Sequence, residues 1–232
     1  MDPRQRVYDP EETFRAAVES VVEGLWTALP AIVVSFDPAK MTISAQPTVP
    51  VRWRRPDATF VTITLPVLQD IPVVWLGGGG VTGVFPITPK DEALLIFSSL
   101  CIDGWWSLGT VAPAPEQRRY DLSDGFALVG LRSLPRVFPV PAGVAGLVTD
   151  DGQTYITLNP SSKAVAAKAS GGINLNGVVI DASGNITGAQ DITASGTVTG
   201  QTDVVAAGIS GSKHTHTSAA SGSPTSPPNP GT

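Results

Sequence analysis

The sequence is poor in charge, in sulfur and in imidazole. Charged residues make up 15% of the 232, against roughly a quarter in an average domain. That, with 24 glycines and 21 prolines, argues against a coiled coil or a long helix and favours short strands and turns or a low-complexity part. The single cysteine, Cys101, excludes a disulfide framework and any multi-cysteine zinc site. Two histidines confine imidazole chemistry to one place. A net charge of −5 argues against a nucleic-acid partner. No uninterrupted apolar run reaches the roughly 18 residues of a membrane helix, and the polar opening MDPRQRVYDPEE has no signal-peptide core. The expectation is a soluble protein made in a reducing compartment. Aromatic residues stop at Tyr155, and from Ala169 to Thr232 the only charged residues are Asp181, Asp191, Asp203 and Lys213. The first two thirds therefore read as globular, and the last third as either a tail or a repeat.

What is present begins with a helix. Asp9 can cap it, Pro10 suits the first helical position, and Glu12 completes a capping-box pattern. Phe14, Val18, Val21, Val22, Leu25, Trp26 and Leu29 recur in steps that place them on one face, and Pro30 stops the run. That face either packs on its own domain or docks a partner protein. Its polar side is not basic, which argues against a membrane surface. Strand-like runs follow at Ala31–Phe36, Met41–Ala45, Phe60–Leu65, Ile71–Leu76, Val84–Ile87, Ala93–Phe97, Trp105–Leu108 and Phe126–Leu131, with turn signals between them. This spacing fits a small OB-like barrel better than a nine-strand sandwich. Pro135, Pro139 and Pro141 mark residues 132–147 as an extended connector.

The last third has a period. Ile180, Ile186, Ile192, Val198 and Val204 stand six residues apart, with glycines and aspartates at the corners between them. That is the mark of a β-solenoid. A single-chain left-handed β-helix needs three hexads per coil, so five units cannot bury a core alone. An intertwined trimeric prism needs one face from each of three chains, and its strand edges pair with neighbouring chains. The prism is the better fit. Directly after the repeats comes His214-Thr215-His216. In an extended strand residues i and i+2 point to the same side. Two imidazoles make a poor metal site in one chain, but two from each of three chains on a threefold axis make an octahedral shell that suits iron or nickel better than zinc. Such binding needs neutral imidazoles and should weaken as pH falls.

Other motifs carry less. Gly78, Gly80 and Gly83 match G-x-G-x-x-G, but the Val84-Phe85-Pro86-Ile87 run after them cannot open a phosphate-holding helix, so this reads as a hairpin loop. Trp105 and Trp106 read as one core and one interface residue rather than a sugar platform, and Cys101 as a small buried hydrophobe. Asn185-Ile186-Thr187 is a sequon by chance. Asp150-Asp151 sits in a turn, TDDGQ. With both histidines at the far end, no Ser-His-Asp arrangement is available in the barrel, and no enzyme is expected.

Taken in order, the pieces resemble a known family. Ile71-Pro72-Val73-Val74-Trp75 with four glycines, Phe85-Pro86, Asp91 to Phe97 and Ile102-Asp103-Gly104-Trp105-Trp106 resemble the N-terminal OB-fold domain of phage baseplate central spike proteins, the membrane-piercing spikes of contractile tails. Arg118 to Ala127 resembles the stretch after their barrel, with Tyr120 where many members have His. The hexads, the Gly-Ile-Ser-Gly-Ser-Lys-His-Thr-His run and the Ser/Pro/Gly-rich end resemble their β-helix and apex. The resemblance covers most of residues 30–232. It implies a mainly β homotrimer: an N-terminal amphipathic helix over 1–30, an OB-fold domain over 31–118, an extended connector over 119–165, a trimeric β-helix shaft over 166–213 and an apex over 214–232. It implies one iron ion per trimer, octahedral, held by His214 and His216 of each chain, with another transition metal as the alternative. It also implies partners in the baseplate hub and tail-tube proteins and in the host outer envelope, and a place at the tip of the tail baseplate in the virion. The segment SAASGSPTSPPNPGT is expected to fold back over the tip. Two other classes fit the residues less well. A receptor-binding tail protein would need aromatics near the tip, where there are none. A lytic enzyme or transferase would need a spare histidine or a larger domain.

Overall fold

The computed structural model describes residues 10–55, 59–217, 220, 221, 226 and 227. The chain divides into two compact units, Met1–Val137 and Phe138–Thr232. It is mainly β, and no described helix is long and apolar enough to cross a membrane.

In the first unit the elements are α1 (Pro10–Glu23), β1 (Ala28–Asp37), β2 (Thr42–Pro47), β3 (Val51–Arg54), β4 (Phe60–Ile63), β5 (Leu68–Pro72), β6 (Gly77–Gly78), β7 (Val81–Thr82), β8 (Glu92–Phe97), α2 (Asp103–Leu108) and β9 (Gly125–Val129). Five strands form one antiparallel sheet in the order β5-β2-β1-β8-β9. Just past β5, Val73 forms a parallel bridge to Ala127, and the Val74 amide donates to the Ala127 carbonyl at 2.9 Å. The two edge strands therefore touch at one place, which makes the sheet a half-barrel rather than an open layer. Alternation along the strands builds the core: Ala31 and Val33 from β1, Ile43 and Ala45 from β2, Ala93, Leu95 and Phe97 from β8, Ala127 from β9, with Ile71 from β5. Large residues face small ones across the register, Val33 opposite Ala45 and Leu95 opposite Ala127, so side chains interlock in a tightly curved interior.

Several expectations meet a different structure. The helix ends at Glu23, before Gly24, instead of running to Leu29. Trp26 and Leu29 lie beyond it and pack on the barrel core, with the Trp26 amide donating to the Tyr120 carbonyl at 3.0 Å. Leu29 belongs to β1, where it shares the core-facing alternation of Ala31 and Val33. The proposed Asp9 cap lies outside the described residues. Trp105–Leu108 is helical, not extended. Asp103 stands in the first turn, and Gly109 closes the end in the left-handed region, its amide donating to the Trp105 carbonyl at 2.8 Å. Val84–Ile87 is no strand, as Pro86 lacks a ladder donor. Val51–Arg54 is a strand that the turn signals did not mark, paired with β4 as a separate hairpin. Gly77 to Gly83 does form a hairpin, β6 against β7.

In the second unit, β10 (Ala145–Val148), β11 (Tyr155–Asn159) and β12 (Ala164–Lys168) make an antiparallel sheet. Then come β13 (Ile173–Leu175), β14 (Val178–Ile180) and β15 (Ile186–Thr187) in a second sheet, and β16 (Val205–Ala206) with β17 (Ile209–Ser210) in a hairpin. Residues expected to be an extended connector up to 165 thus hold two paired strands and the start of a third, and the half-barrel takes its last strand from beyond the expected boundary at 118. Tight turns explain the pairing. The TDDGQ carboxylate Asp151 accepts from the Gln153 amide at 2.9 Å, and Asn159 Oδ1 accepts from the Ser161 and Ser162 amides at 2.9 and 3.0 Å. Asn176-Gly177 turns β13 into β14 with both residues at positive φ, 52° and 90°, the two-residue turn whose twist matches antiparallel strands. Of the hexad positions, Ile180 and Ile186 lie in strands and face each other across β14 and β15, while Ile192, Val198 and Val204 lie outside strands.

Leu95, 0% exposed at the centre of the half-barrel, sets a test of this packing. Leu95→Ala should cost about 2–5 kcal/mol of stability in urea unfolding. A loss below about 1 kcal/mol would place Leu95 outside a closely packed interior.

Candidate functional site

The two histidines are brought together at the end of the β16–β17 hairpin. The turn Ala207-Gly208 has positive φ at both residues, 48° and 80°, and returns the chain so that Ser210 lies four residues before His214. The Ser210 carbonyl accepts both the His214 amide at 3.1 Å and its Nδ1 at 2.9 Å. His216 Nδ1 contacts the Ser226 carbonyl at 2.8 Å. A carbonyl can only accept, so Nδ1 carries the proton in both rings. In the neutral ring the free lone pair is then on Nε2. This is the tautomer of metal-ligating histidines, which donate their other ring N–H to a carbonyl or carboxylate. The ring centroids are 5.2 Å apart at 82°. Two such imidazoles are donors of the kind a transition metal takes, and they are too few to complete a site within one chain. The Ser/Pro-rich end does come back to the tip at the described Ser226, whose amide donates to the Thr217 carbonyl at 2.9 Å and whose hydroxyl accepts from the Thr217 amide at 2.9 Å.

Asp203 anchors this hairpin. Its carboxylate accepts from the Val204 amide at 2.8 Å and the Ser212 amide at 3.0 Å. The Ser210 hydroxyl, then the Ser212 amide, hold its pKa down at about 2. One turn earlier in the sequence, Asp181 plays the same part. It accepts from the Ser183 and Asn185 amides and from the Asn185 side chain at 2.8–2.9 Å, and the Asn185 side chain is the main cause of its lowered pKa.

A second charged cluster lies in the half-barrel. Among the described residues, Cys101, Asp103 and Asp124 form the one trio of metal-ligating types with adjacent ligand atoms in a single chain. A cation already occupies its centre. Arg118 donates to Asp103 at 2.8 Å, to both Asp124 oxygens at 3.2 Å, to Cys101 Sγ at 3.2 Å and to Glu116 at 2.6 Å. The guanidinium holds the Asp103 carboxyl below its usual range and is itself made still more basic, chiefly by Asp124. Asp124 also accepts the Ile102 amide at 2.9 Å. The cluster therefore ties the entry of α2 to the loop before β9 and is structural. Cys101 is buried, as expected. Sequence reasoning missed the roles of Arg118, Asp124 and Asp203, because their partners lie up to 22 residues away and show no periodicity. Trp105 and Trp106 are both half-exposed, so neither is a core residue; Trp105 meets Phe126 edge-on at 5.7 Å.

Residues 29–130 match the family model described as the N-terminal domain of phage protein Gp138. No curated protein matches the chain. The family match supports a phage structural component of tail or baseplate type, a part of the virion.

Two predictions follow from the two clusters. Asp124 is fully buried and Arg118 is 24% exposed. Arg118→Ala should cost roughly 3 kcal/mol in chemical denaturation, the low end for breaking a buried pair, because the remaining carboxylate is left without its cation. An unchanged midpoint would show that the pair does not hold the domain together. The folded pKa of Asp203 lies below its ordinary value of 3.8, at about 2. Its contribution is therefore complete above that ordinary value and is lost as pH falls toward about 2. Amide exchange at Val204 and Ser212 should accelerate over that window beyond its intrinsic pH dependence, and Asp203→Asn should abolish the extra change.

Proposed function

We propose that this chain is the central spike of a contractile phage tail baseplate, acting as a homotrimer that punctures the host envelope when the tail contracts. The observation that carries this reading is the distribution of burial. Every buried hydrophobic among the described residues lies between Ala31 and Ala127. The second unit buries none, yet it presents Leu147, Ile156, Leu158, Val165, Leu175, Ile186, Ile192 and Val198 to solvent, Ile192 at 82%. A unit with this much apolar surface and no core of its own is stable only if other chains supply the missing side. Three chains each contributing one face would bury the hexad ladder on a shared axis.

The first unit suits a docking role. Its strand order, with the parallel closure at Val73, supports an OB-type barrel, and we assign it to the hub at the tail tube. The apex follows from the histidines. On a threefold axis His214 and His216 of each chain would hold a transition-metal ion, iron by family resemblance. When bound, the ion supplies a coordinate cross-link among the three chain ends. The Ser210 and Ser226 carbonyls fix the tautomer and ring orientation for that task. Termini are where order fails first, and a tip that frays would lose the force delivered along the shaft. The action is mechanical, and no bond in a substrate is broken.

Native mass spectrometry of the purified chain tests this directly. The expected result is a complex of three chains carrying one iron-sized mass, with the metal lost in the His214→Ala, His216→Ala double variant. A metal-free monomer would sink the proposal.

A further inference from the structure

His214 and His216 are held by different parts of the chain. His216 leans on Ser226, ten residues further on, whose carbonyl faces its Nδ1 at 2.8 Å. His214 leans on Ser210, at the end of β17. The Ser210 carbonyl accepts both the His214 amide and its Nδ1–H, and the Ser210 hydroxyl accepts the Lys213 amide at 2.9 Å. Ser210 is only 8% exposed. A carbonyl orients a ring only if the carbonyl itself is fixed, and Asp203 supplies that fixation. One of its oxygens, Oδ1, accepts the Val204 amide at 2.8 Å and the Ser212 amide at 3.0 Å. The Gly211 amide donates to the Val204 carbonyl at 2.8 Å. Both residues after Ser210 are therefore tied back to the start of the hairpin, while Ser210 itself pairs with Val205. The fit is close, since a Cβ at Gly211 would stand 3.0 Å from the Val204 carbonyl oxygen and 3.9 Å from Asp203 Oδ1.

We propose that Asp203 is a positioning residue of the metal apex: through Ser210 it holds His214, but not His216, with Nδ1 protonated and Nε2 bare for the metal. This rests on the threefold reading above and adds to it the device that prepares one of the two ligands. The proton of a neutral imidazole goes to whichever ring nitrogen has the better-placed acceptor. In water it resides mainly on Nε2, the atom that must be bare here. Each histidine therefore needs a fixed acceptor at Nδ1 to offset that preference. At His214 the fixing is done from the opposite end of the hairpin, by a carboxylate that touches neither ring. Val204 is also the last position of the six-residue ladder, so the same carboxylate joins the end of the ladder to the tip.

The test reads the ring nitrogens of isotopically labelled histidine in the full chain by nitrogen NMR, without metal and at a pH where both rings are neutral. Protonated and bare nitrogens resonate far apart, and the His216→Ala variant assigns the two rings. The wild-type chain should show Nδ1 protonated in both. Asp203→Ala should move the His214 proton toward Nε2 and leave His216 as it was. Asp203→Asn keeps an oxygen for the two amides and should restore the wild-type pattern. Competition for iron(II) with a bipyridine chelator should show affinity about 10–100-fold weaker in Asp203→Ala, the usual cost of losing an outer partner of a metal ligand. Asp203→Asn should stay close to wild type. Every contact invoked lies within one chain, so the ring pattern is readable whatever the chain count. A His214 ring unchanged by Asp203→Ala, both rings changed alike, no recovery in Asp203→Asn, or undiminished iron affinity would overturn the proposal. If the wild-type chain binds iron in that case, only this role of Asp203 fails. If the wild-type chain holds no iron, the threefold reading fails with it.

Discussion

A short strand can bury one of its faces only where something lies against that face. The first unit meets this condition within one chain. Its five-stranded sheet curves until Val73 meets Ala127, and the inward residues of all five strands then pack on one another. The second unit does not meet it. Its sheets are two or three strands wide, too narrow to curl into a core, and β10, β11 and β12 leave Leu147, Ile156, Leu158 and Val165 uncovered. The rest of the molecule is shaped by that difference, because one unit has its own buried core and the other leaves its apolar side chains exposed.

Where burial is absent, local hydrogen bonds do the organising. Asp151, Asn159 and Asp181 accept amides from their own turns, and Asp203 ties the two open ends of the β16–β17 hairpin together through the Val204 and Ser212 amides. These bonds lie at the surface and set the conformation of the turns more than they add stability. The half-barrel uses charge differently. Arg118 gathers Asp103, Glu116 and Asp124 into one cluster, and the buried carboxylate is tolerable there because both a guanidinium and the Ile102 amide satisfy it.

The same division runs through the proposed function. A half-barrel with its own core can serve as a fixed mount. In the proposed trimer, the second unit would gain its core only by association, and its end is the place where a shared ligand would matter most. The histidines are prepared for that, with Nδ1 of each engaged by a carbonyl, so little ring motion remains to be lost on coordination.

Much of this was legible in the sequence because it follows from period and punctuation. Two-residue alternation in Ala93–Phe97 marks a half-barrel strand and the glycines at 77–80 mark a hairpin, while of the six-residue ladder from Ile180 to Val204 only Ile180 and Ile186 lie in paired strands. Those signals are local. What only the tertiary structure decided depends on contacts between distant residues. Trp26 and Leu29 sat at helical spacing, yet the barrel core captured them. Trp105 and Trp106 had the composition of a strand, yet Asp103 and Gly109 bound a helical turn around them. Arg118 became the centre of an ion-pair cluster because folding delivered Cys101, Asp103 and Asp124 to it. Burial and electrostatic pairing act through space, and a linear pattern records them only where neighbours in sequence are also neighbours in the fold.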